Sequence, residues 1–270
     1  MSTTPLFSAQ VTVHLGARRV LHDVALQIGT QEVVGLIGSS GCGKSTFALT
    51  AMNLLALRGG RAEGYVRLDG QDLLTMNPRQ LRDLRGRLVA MVLQSPQAAM
   101  NPALKVRTHF EEAYRAHSKT TRAAMNETIE SVLADVQLTT DILDRKPTQV
   151  SVGQAQRAII AMALLHGPKL LIADEPTSAL DPINQVEINE LFRRLKDEKG
   201  ISILYISHDL LSVASLCDRV AIMDAGRIVE TGATTTVFDA PQHPVTQALT
   251  RTARVIRTAT AKAAGAEAYA

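Results

Sequence analysis

A nine-residue stretch, Gly38-Ser39-Ser40-Gly41-Cys42-Gly43-Lys44-Ser45-Thr46, leaves this chain few folds to choose from. Its spacing is G-x-x-x-x-G-K-S, the pattern of a phosphate-binding loop. Before it, Glu32 to Ile37 is apolar and partly β-branched, which suits a buried strand. After it, the run from Ser45 to Leu57 lacks Gly and Pro and reads as a helix. Glycines let the backbone wrap a phosphate with its N–H groups inward, and the helix N-terminus adds positive potential. Lys44 is expected to reach the β- and γ-phosphates, and the Ser45 hydroxyl to take a place on Mg²⁺. A plain glycine turn would need neither the lysine nor the serine in register. The reading is a nucleoside triphosphate site.

A second stretch completes it. Leu170-Leu171-Ile172-Ala173-Asp174-Glu175 is an apolar strand ending in two acids. That ending is weak alone, but after a phosphate-binding loop it makes Asp174 the candidate carboxylate directed at Mg²⁺.

Composition narrows the rest. A chain of 270 residues, 46% hydrophobic, can bury a sizeable core and is not disordered over most of its length. No apolar run approaches the roughly eighteen residues that cross a bilayer, and the start, Met1-Ser2-Thr3-Thr4-Pro5, lacks the features of a secretory signal. Two cysteines, Cys42 and Cys217, make no framework, which points to a reducing compartment. If nucleotide covers the loop, a thiol reagent at Cys42 should inactivate the protein and MgATP should protect it. A net charge of +3 with no Trp gives no nucleic-acid footprint. The one basic cluster, Arg79, Arg82, Arg85 and Arg87, reads as a solvated surface.

Along the chain, 9–15 and 20–28 read as two strands around a turn at Gly16–Arg19, with a short strand at 65–68, a helix at 78–84 and a strand at 88–93. Glycine then disappears from about 103 to 146, and apolar residues recur at helical spacing (Ile129, Val132, Leu133, Val136), as in a helical insertion. A further helix runs to His166. Strand 170–173, helix 183–198, strand 201–206, a short helix and strands 220–223 and 227–230 follow. This order implies an α/β fold: a P-loop core with a mostly parallel sheet, an N-terminal antiparallel β portion and a helical subdomain at about 97–166. The domain is expected to span 1–250, with 251–270 as an alanine-rich tail.

Taken together, the loop, Gln94 after a strand, Val150-Ser151-Val152-Gly153-Gln154 followed by Gln156-Arg157, Asp174-Glu175-Pro176, Ser178-Ala179-Leu180-Asp181 and His208-Asp209 resemble, in that order, the nucleotide-binding subunits of ABC transporters. The resemblance covers nearly the whole chain. It implies an ATPase with ATP and Mg²⁺ as cofactors. Glu175 would polarise the attacking water, His208 would contact the γ-phosphate, and Gln94 would sense the γ-phosphate and Mg²⁺. It also implies that two subunits sandwich two ATP molecules, so that Ser151, Gly153 and Gln154 act on the partner's nucleotide and Asp181 lies at the seam.

Two positions depart from the family pattern. Val152 stands where the family usually has Gly, restricting the backbone and crowding the phosphate. Leu15 stands where an adenine-stacking aromatic is expected, leaving the base to apolar contact.

The implied partners are a paralogous ATPase, two membrane permease subunits and an extracytoplasmic solute-binding protein, with no nucleic acid. The implied place is the cytoplasmic face of the inner membrane, as a peripheral protein. Met100-Asn101-Pro102 and His243-Pro244-Val245-Thr246 resemble segments of the peptide/nickel class of importers. A lone His beside Pro reads as a helix start and not as a metal ligand. Peptide members run on further, several with a cysteine cluster, so this chain resembles the shorter nickel or metal-chelate members. A dipeptide or oligopeptide importer is the alternative, as is a mainly nucleotide-binding subunit whose partner hydrolyses.

Overall fold

The computed structural model describes residues 4–96 and 98–251. Apart from Arg251, the expected tail lies outside the described residues. In chain order the elements are β1 (Phe7–Leu15), β2 (Arg18–Ile28), β3 (Val33–Ile37), α1 (Lys44–Ala51), β4 (Gly60–Leu68), β5 (Gln71–Asp72), α2 (Pro78–Leu84) and β6 (Val89–Val92). Then follow α3 (Val106–Arg115), α4 (Arg122–Asp135), α5 (Val152–Leu164), β7 (Leu170–Asp174), α6 (Pro182–Lys199), β8 (Ser202–Ser207), α7 (Leu210–Leu216), β9 (Arg219–Asp224), β10 (Arg227–Ala233) and α8 (Thr234–Asp239).

Two sheets form. The first is antiparallel, in the order β2-β1-β4-β5. The second has the order β10-β9-β3-β8-β7-β6 and is parallel except for β10 at its edge. Every residue of β3, β7 and β8 is buried, which explains their continuous apolar character. Period-2 alternation survives in the partners each side chain meets. Val33 and Ile37 join one apolar cluster with α3–α6, whereas Val34 and Leu36 join another with α1 and the antiparallel sheet. The sheet is thus covered on both faces, and the parallel register brings the C-terminal ends of β3, β8 and β7 side by side. In α/β sheets that edge is where ligands sit.

Local signals set most boundaries. Helix α2 begins at Pro78 because Asn77 caps it, accepting from the N–H groups of Arg79 and Gln80, while Gln80 reaches back to the Asn77 N–H. The helix expected over 45–57 instead ends at Ala51. Asn53 takes a left-handed φ of 48°, and its amide donates to Leu73 O at 2.7 Å. A 3₁₀ turn at Leu55–Arg58 follows. Arg85 holds the same corner, donating to Met52 O at 2.9 Å and Asn53 O at 2.6 Å. The expectation of a solvated basic surface therefore fails for Arg85, which serves as a carbonyl clamp, and burial lowers its pKa. The glycine-free stretch after β6 resolves into α3, α4 and 3₁₀ turns at Thr140–Asp144 and Pro147–Gln149.

Candidate nucleotide and hydrolysis site

The phosphate-binding loop leaves β3 and enters α1 at Lys44. Gly38 admits no side chain, since a Cβ there would stand 2.2 Å from Met223 O and 2.6 Å from Cys42 Sγ. Ser39, Ser40 and Gly41 form the exposed crest. Lys44 is 6% exposed, and its ammonium donates across the loop to Gly38 O at 2.8 Å and Ser39 O at 3.0 Å. Ser45 is exposed at the start of α1, and Thr46 O accepts from the Thr50 hydroxyl.

The Cys42 thiol is not part of the loop's exposed surface. It is buried beneath the loop among apolar side chains, and burial raises its pKa. Only the backbone of Cys42 is available to a phosphate, because a small apolar-packing side chain fills the space below Gly38. The expectation of a readily labelled, nucleotide-protected thiol is revised accordingly.

Asp174 ends β7 at 8% exposure. Burial raises the pKa of its carboxyl, with the neighbouring Glu175 charge acting in the same direction; a hydrogen bond from Ser45 and the charge of Lys44 oppose them. Asp174 Oδ1 has no hydrogen-bond partner. A buried carboxylate with an orphaned oxygen beside a serine hydroxyl is a donor set that fits a hard divalent cation such as Mg²⁺.

Glu175 has a left-handed backbone (φ 49°), secured by its N–H donating to Ile206 O at 2.9 Å. Its carboxylate is where Gln94 and His208 meet. Gln94 Nε2, past the end of β6, donates to Glu175 Oε2 at 3.1 Å. His208 Nδ1, past the end of β8, lies 3.2 Å from the same oxygen. The Glu175 side chain is 15% exposed and that of His208 62%, so the imidazole stands at the open side. A carboxylate held by an amide and an imidazole, next to a metal-suited acid and a phosphate-suited loop, has the parts for water-mediated phosphoryl transfer.

The Val150–Gln154 segment and Asp181 lie apart, making no hydrogen bond to the loop or to Glu175 among the described residues. Ser151 caps α5: its Oγ accepts from the Gln154 N–H, and Gln154 Oε1 accepts from the Ser151 N–H, both at 3.1 Å. Val152 is the first residue of α5 and does not need a positive φ. The steric demand falls on Gly153, where a Cβ would stand 2.5 Å from Asn184 Oδ1. Asn184 also donates to Asp181 Oδ2 at 2.5 Å, and Asp181 Oδ1 accepts from the Ile183 and Asn184 N–H groups. These bonds hold the Asp181 carboxyl below the usual carboxylate range.

Leu15 ends β1 opposite Arg18 and Gly60, with its side chain over Gly60 beside Leu55. A side chain of β2 stands against the loop: a Cβ on Gly43 would be 2.6 Å from Leu21 Cδ2. Sequence reasoning missed this wall, which alternation alone could not distinguish from ordinary core.

The model of the family described as ABC transporter matches residues 21–178. This chain belongs to the ABC transporter family. It is 42% identical over 231 residues to a Brucella melitensis ATP-binding protein provisionally assigned to peptide import, covering 84% of this chain and 69% of that one. It is 38% identical over 248 residues to the dipeptide transport ATP-binding protein DppD of Haemophilus influenzae, covering 90% and 75%. The fold is that of the ATP-binding cassette MJ0796, solved as a dimer in a post-hydrolysis state bound to ADP and Pi: TM-score 0.73, 24% identity, 84% of this chain and 98% of that one. The chain is an ABC ATPase and an importer's ATP-binding subunit.

The nickel reading loses its ground here. These relatives are named for peptides and dipeptides, and the His243 segment has a structural explanation. Glu230 accepts from the N–H groups of Gln242 and His243, both at 2.9 Å, and His243 Nδ1 accepts from the Val245 N–H at 3.3 Å. The imidazole and carboxylate cap the helical segment 244–251.

Proposed function

We propose that this protein is the ATP-hydrolysing subunit of a peptide importer, working beside a paralogous ATPase, two membrane permease subunits and an extracytoplasmic binding protein. The observation that carries the hydrolytic role is the convergence of Gln94 and His208 on Glu175 Oε2 beside buried Asp174. That convergence also favours hydrolysis on this chain over a purely nucleotide-binding role. The relatives' names favour peptides. In this reading 1–250 form the ATPase domain, 97–166 its helical subdomain, and the place is the cytoplasmic face of the inner membrane. Among the described residues no helix is long and apolar enough to cross a membrane.

The loop N–H groups from Gly38 to Thr46 and Lys44 hold the β- and γ-phosphates of ATP. Ser45 and Asp174 would hold Mg²⁺, which when bound would supply neutralisation of the phosphate charge. Glu175 orients a water and accepts its proton as the water oxygen bonds to the γ-phosphorus. The bond from that phosphorus to the bridging oxygen breaks, and ADP leaves with the electron pair. His208 donates a hydrogen bond toward the γ-phosphoryl oxygens, and Gln94 fixes the carboxylate. Ser151, Gly153, Gln154 and Asp181 serve the partner's nucleotide, and Leu15 contributes apolar contact to the base.

Coupling has a physical route. An apolar groove of about 350 Å³ is lined by Met52, Met91, Leu93, Ala99, Ile159 and Met162, of which Leu93 precedes Gln94 in the chain. Leu93 is 47% exposed there. Helix α5 lines the groove with Ile159 and Met162 and carries Ser151–Gln154 at its other end. A permease segment seated in the groove would therefore act on both through one rigid helix of about 20 Å.

The test is ATP turnover by the assembled transporter with its binding protein. Peptide-loaded binding protein is expected to raise turnover several-fold and nickel to leave it unchanged. Stimulation by nickel and not by peptide would overturn the cargo reading.

A further inference from the structure

Beneath the Glu175 turn lies a buried polar chain that the hydrolytic mechanism does not use. Tyr205, on β8, is fully buried and donates its O–H to Asn189 Oδ1 on α6 at 3.0 Å. Its oxygen also lies 3.3 Å from Thr177 Oγ1, which with the phenolic proton committed to Asn189 acts as the donor. Thr177 is 2% exposed and Asn189 6%. By position, Thr177 comes two residues after Glu175, and Tyr205 comes three before His208. One phenolic oxygen therefore ties the turn that carries Glu175 to the strand that ends at His208.

Packing does not require this hydroxyl. The Tyr205 ring meets Phe192 edge-on, with centroids 5.7 Å apart, and a phenylalanine would keep that contact. A buried hydroxyl costs stability unless bonded, so an aliphatic strand gains nothing from it as filler. Geometry, in contrast, does need fixing here. Glu175 sits at φ 49°, a conformation that persists only where its surroundings over-determine it. Backbone ties secure the neighbouring atoms: Ser178 N–H and Oγ donate to Glu175 O, and Gln185 Nε2 donates to Thr177 O and Leu180 O. The Thr177–Tyr205–Asn189 chain adds a side-chain link from this turn through β8 to α6.

We propose that the Tyr205 hydroxyl is a positioning residue for ATP hydrolysis, pinning the Glu175 turn so that the carboxylate keeps its place relative to His208 and the attacking water. This rests on the roles assigned above to Glu175 and His208. The hydroxyl is fully buried and acts only through Glu175.

The experiment measures ATP turnover and nucleotide binding by the assembled transporter. Tyr205→Phe is expected to lower kcat roughly tenfold, the cost of a small misplacement at the reacting centre, with KM for ATP unchanged. Thr177→Val should give the same loss and Thr177→Ser should retain most of the activity, which keeps the test open if Tyr205→Phe fails to fold. Adding Tyr205→Phe to Glu175→Gln should lower turnover no further. Wild-type kcat in both Tyr205→Phe and Thr177→Val, or an independent loss on top of Glu175→Gln, would overturn the clamp. Wild-type turnover in Glu175→Gln by itself would overturn the catalytic reading beneath it, a separable outcome.

Discussion

Val152 and Gly153 are neighbours at the start of α5 with opposite requirements. Val152 occupies an ordinary first helical position, so its β-branch costs only a few tenths of a kcal/mol in helix propensity. Val152→Gly should leave ATP turnover within about twofold of wild type, an inference from that small cost; a large gain would show a weakened composite site instead. Gly153→Ala brings a Cβ to 2.5 Å from Asn184 Oδ1, the end of a flexible side chain that swings aside at the cost of its exposed bond to Asp181. Alanine regains helix propensity there, so the expected denaturation midpoint stays close to wild type at unchanged slope. For Cys42, burial and a raised pKa predict slow alkylation at neutral pH, at similar rates with and without MgATP. Fast labelling blocked by MgATP would place the thiol in the phosphate site after all. The sequence marked Cys42 as a loop member correctly, but the direction of its side chain depends on Met223 and Gly38 meeting across the chain.

At the scale of elements, local chemistry wrote some boundaries and tertiary bonds wrote others. Pro78 makes α2 legible to the residue, whereas the end of α1 is not, because Asn53 bonds to Leu73 and Arg85 reaches back to Met52. The same holds at the far end. His243-Pro244 was legible as a helix start, but the Glu230 carboxylate that secures it comes from β10. Burial alone would raise the Glu230 pKa, yet the nearby Thr246 hydroxyl, hydrogen bonds from the Gln242 and His243 N–H groups and the His243 charge hold it below the usual carboxylate range. Because the folded pKa is depressed, this anchor is at full strength above the unfolded carboxylate pKa and is lost as pH falls through the lowered folded value. Hydrogen exchange should therefore show the Gln242 and His243 amides losing protection on acidification below pH ~4, and at neutral pH in Glu230→Ala. Unchanged protection in that variant would remove the anchor role.

Across the whole molecule, the parallel register gathers what the sequence scatters. The loop at 38–46 and Asp174 are legible from residue type and neighbours, Gln94, Glu175 and His208 from the resemblance to the family, and the order of strands puts them at one edge of one sheet. The convergence of Gln94 and His208 on Glu175 Oε2 is not legible, since it depends on where three strand ends stop relative to one another. Nor is the Tyr205 link, because a tyrosine in an aliphatic strand looks like core. The importer class is read from Met100-Asn101-Pro102 and the His243 segment and the nickel preference from chain length, which does not bear on cargo; the relatives' names favour peptides instead. The most direct measurement is ATP turnover by the assembled transporter carrying Glu175→Gln in this subunit. Loss of a general base predicts a fall of about a hundredfold or more in the turnover of the site on this chain, with ATP still bound. Turnover at that site equal to wild type would contradict hydrolysis at Glu175.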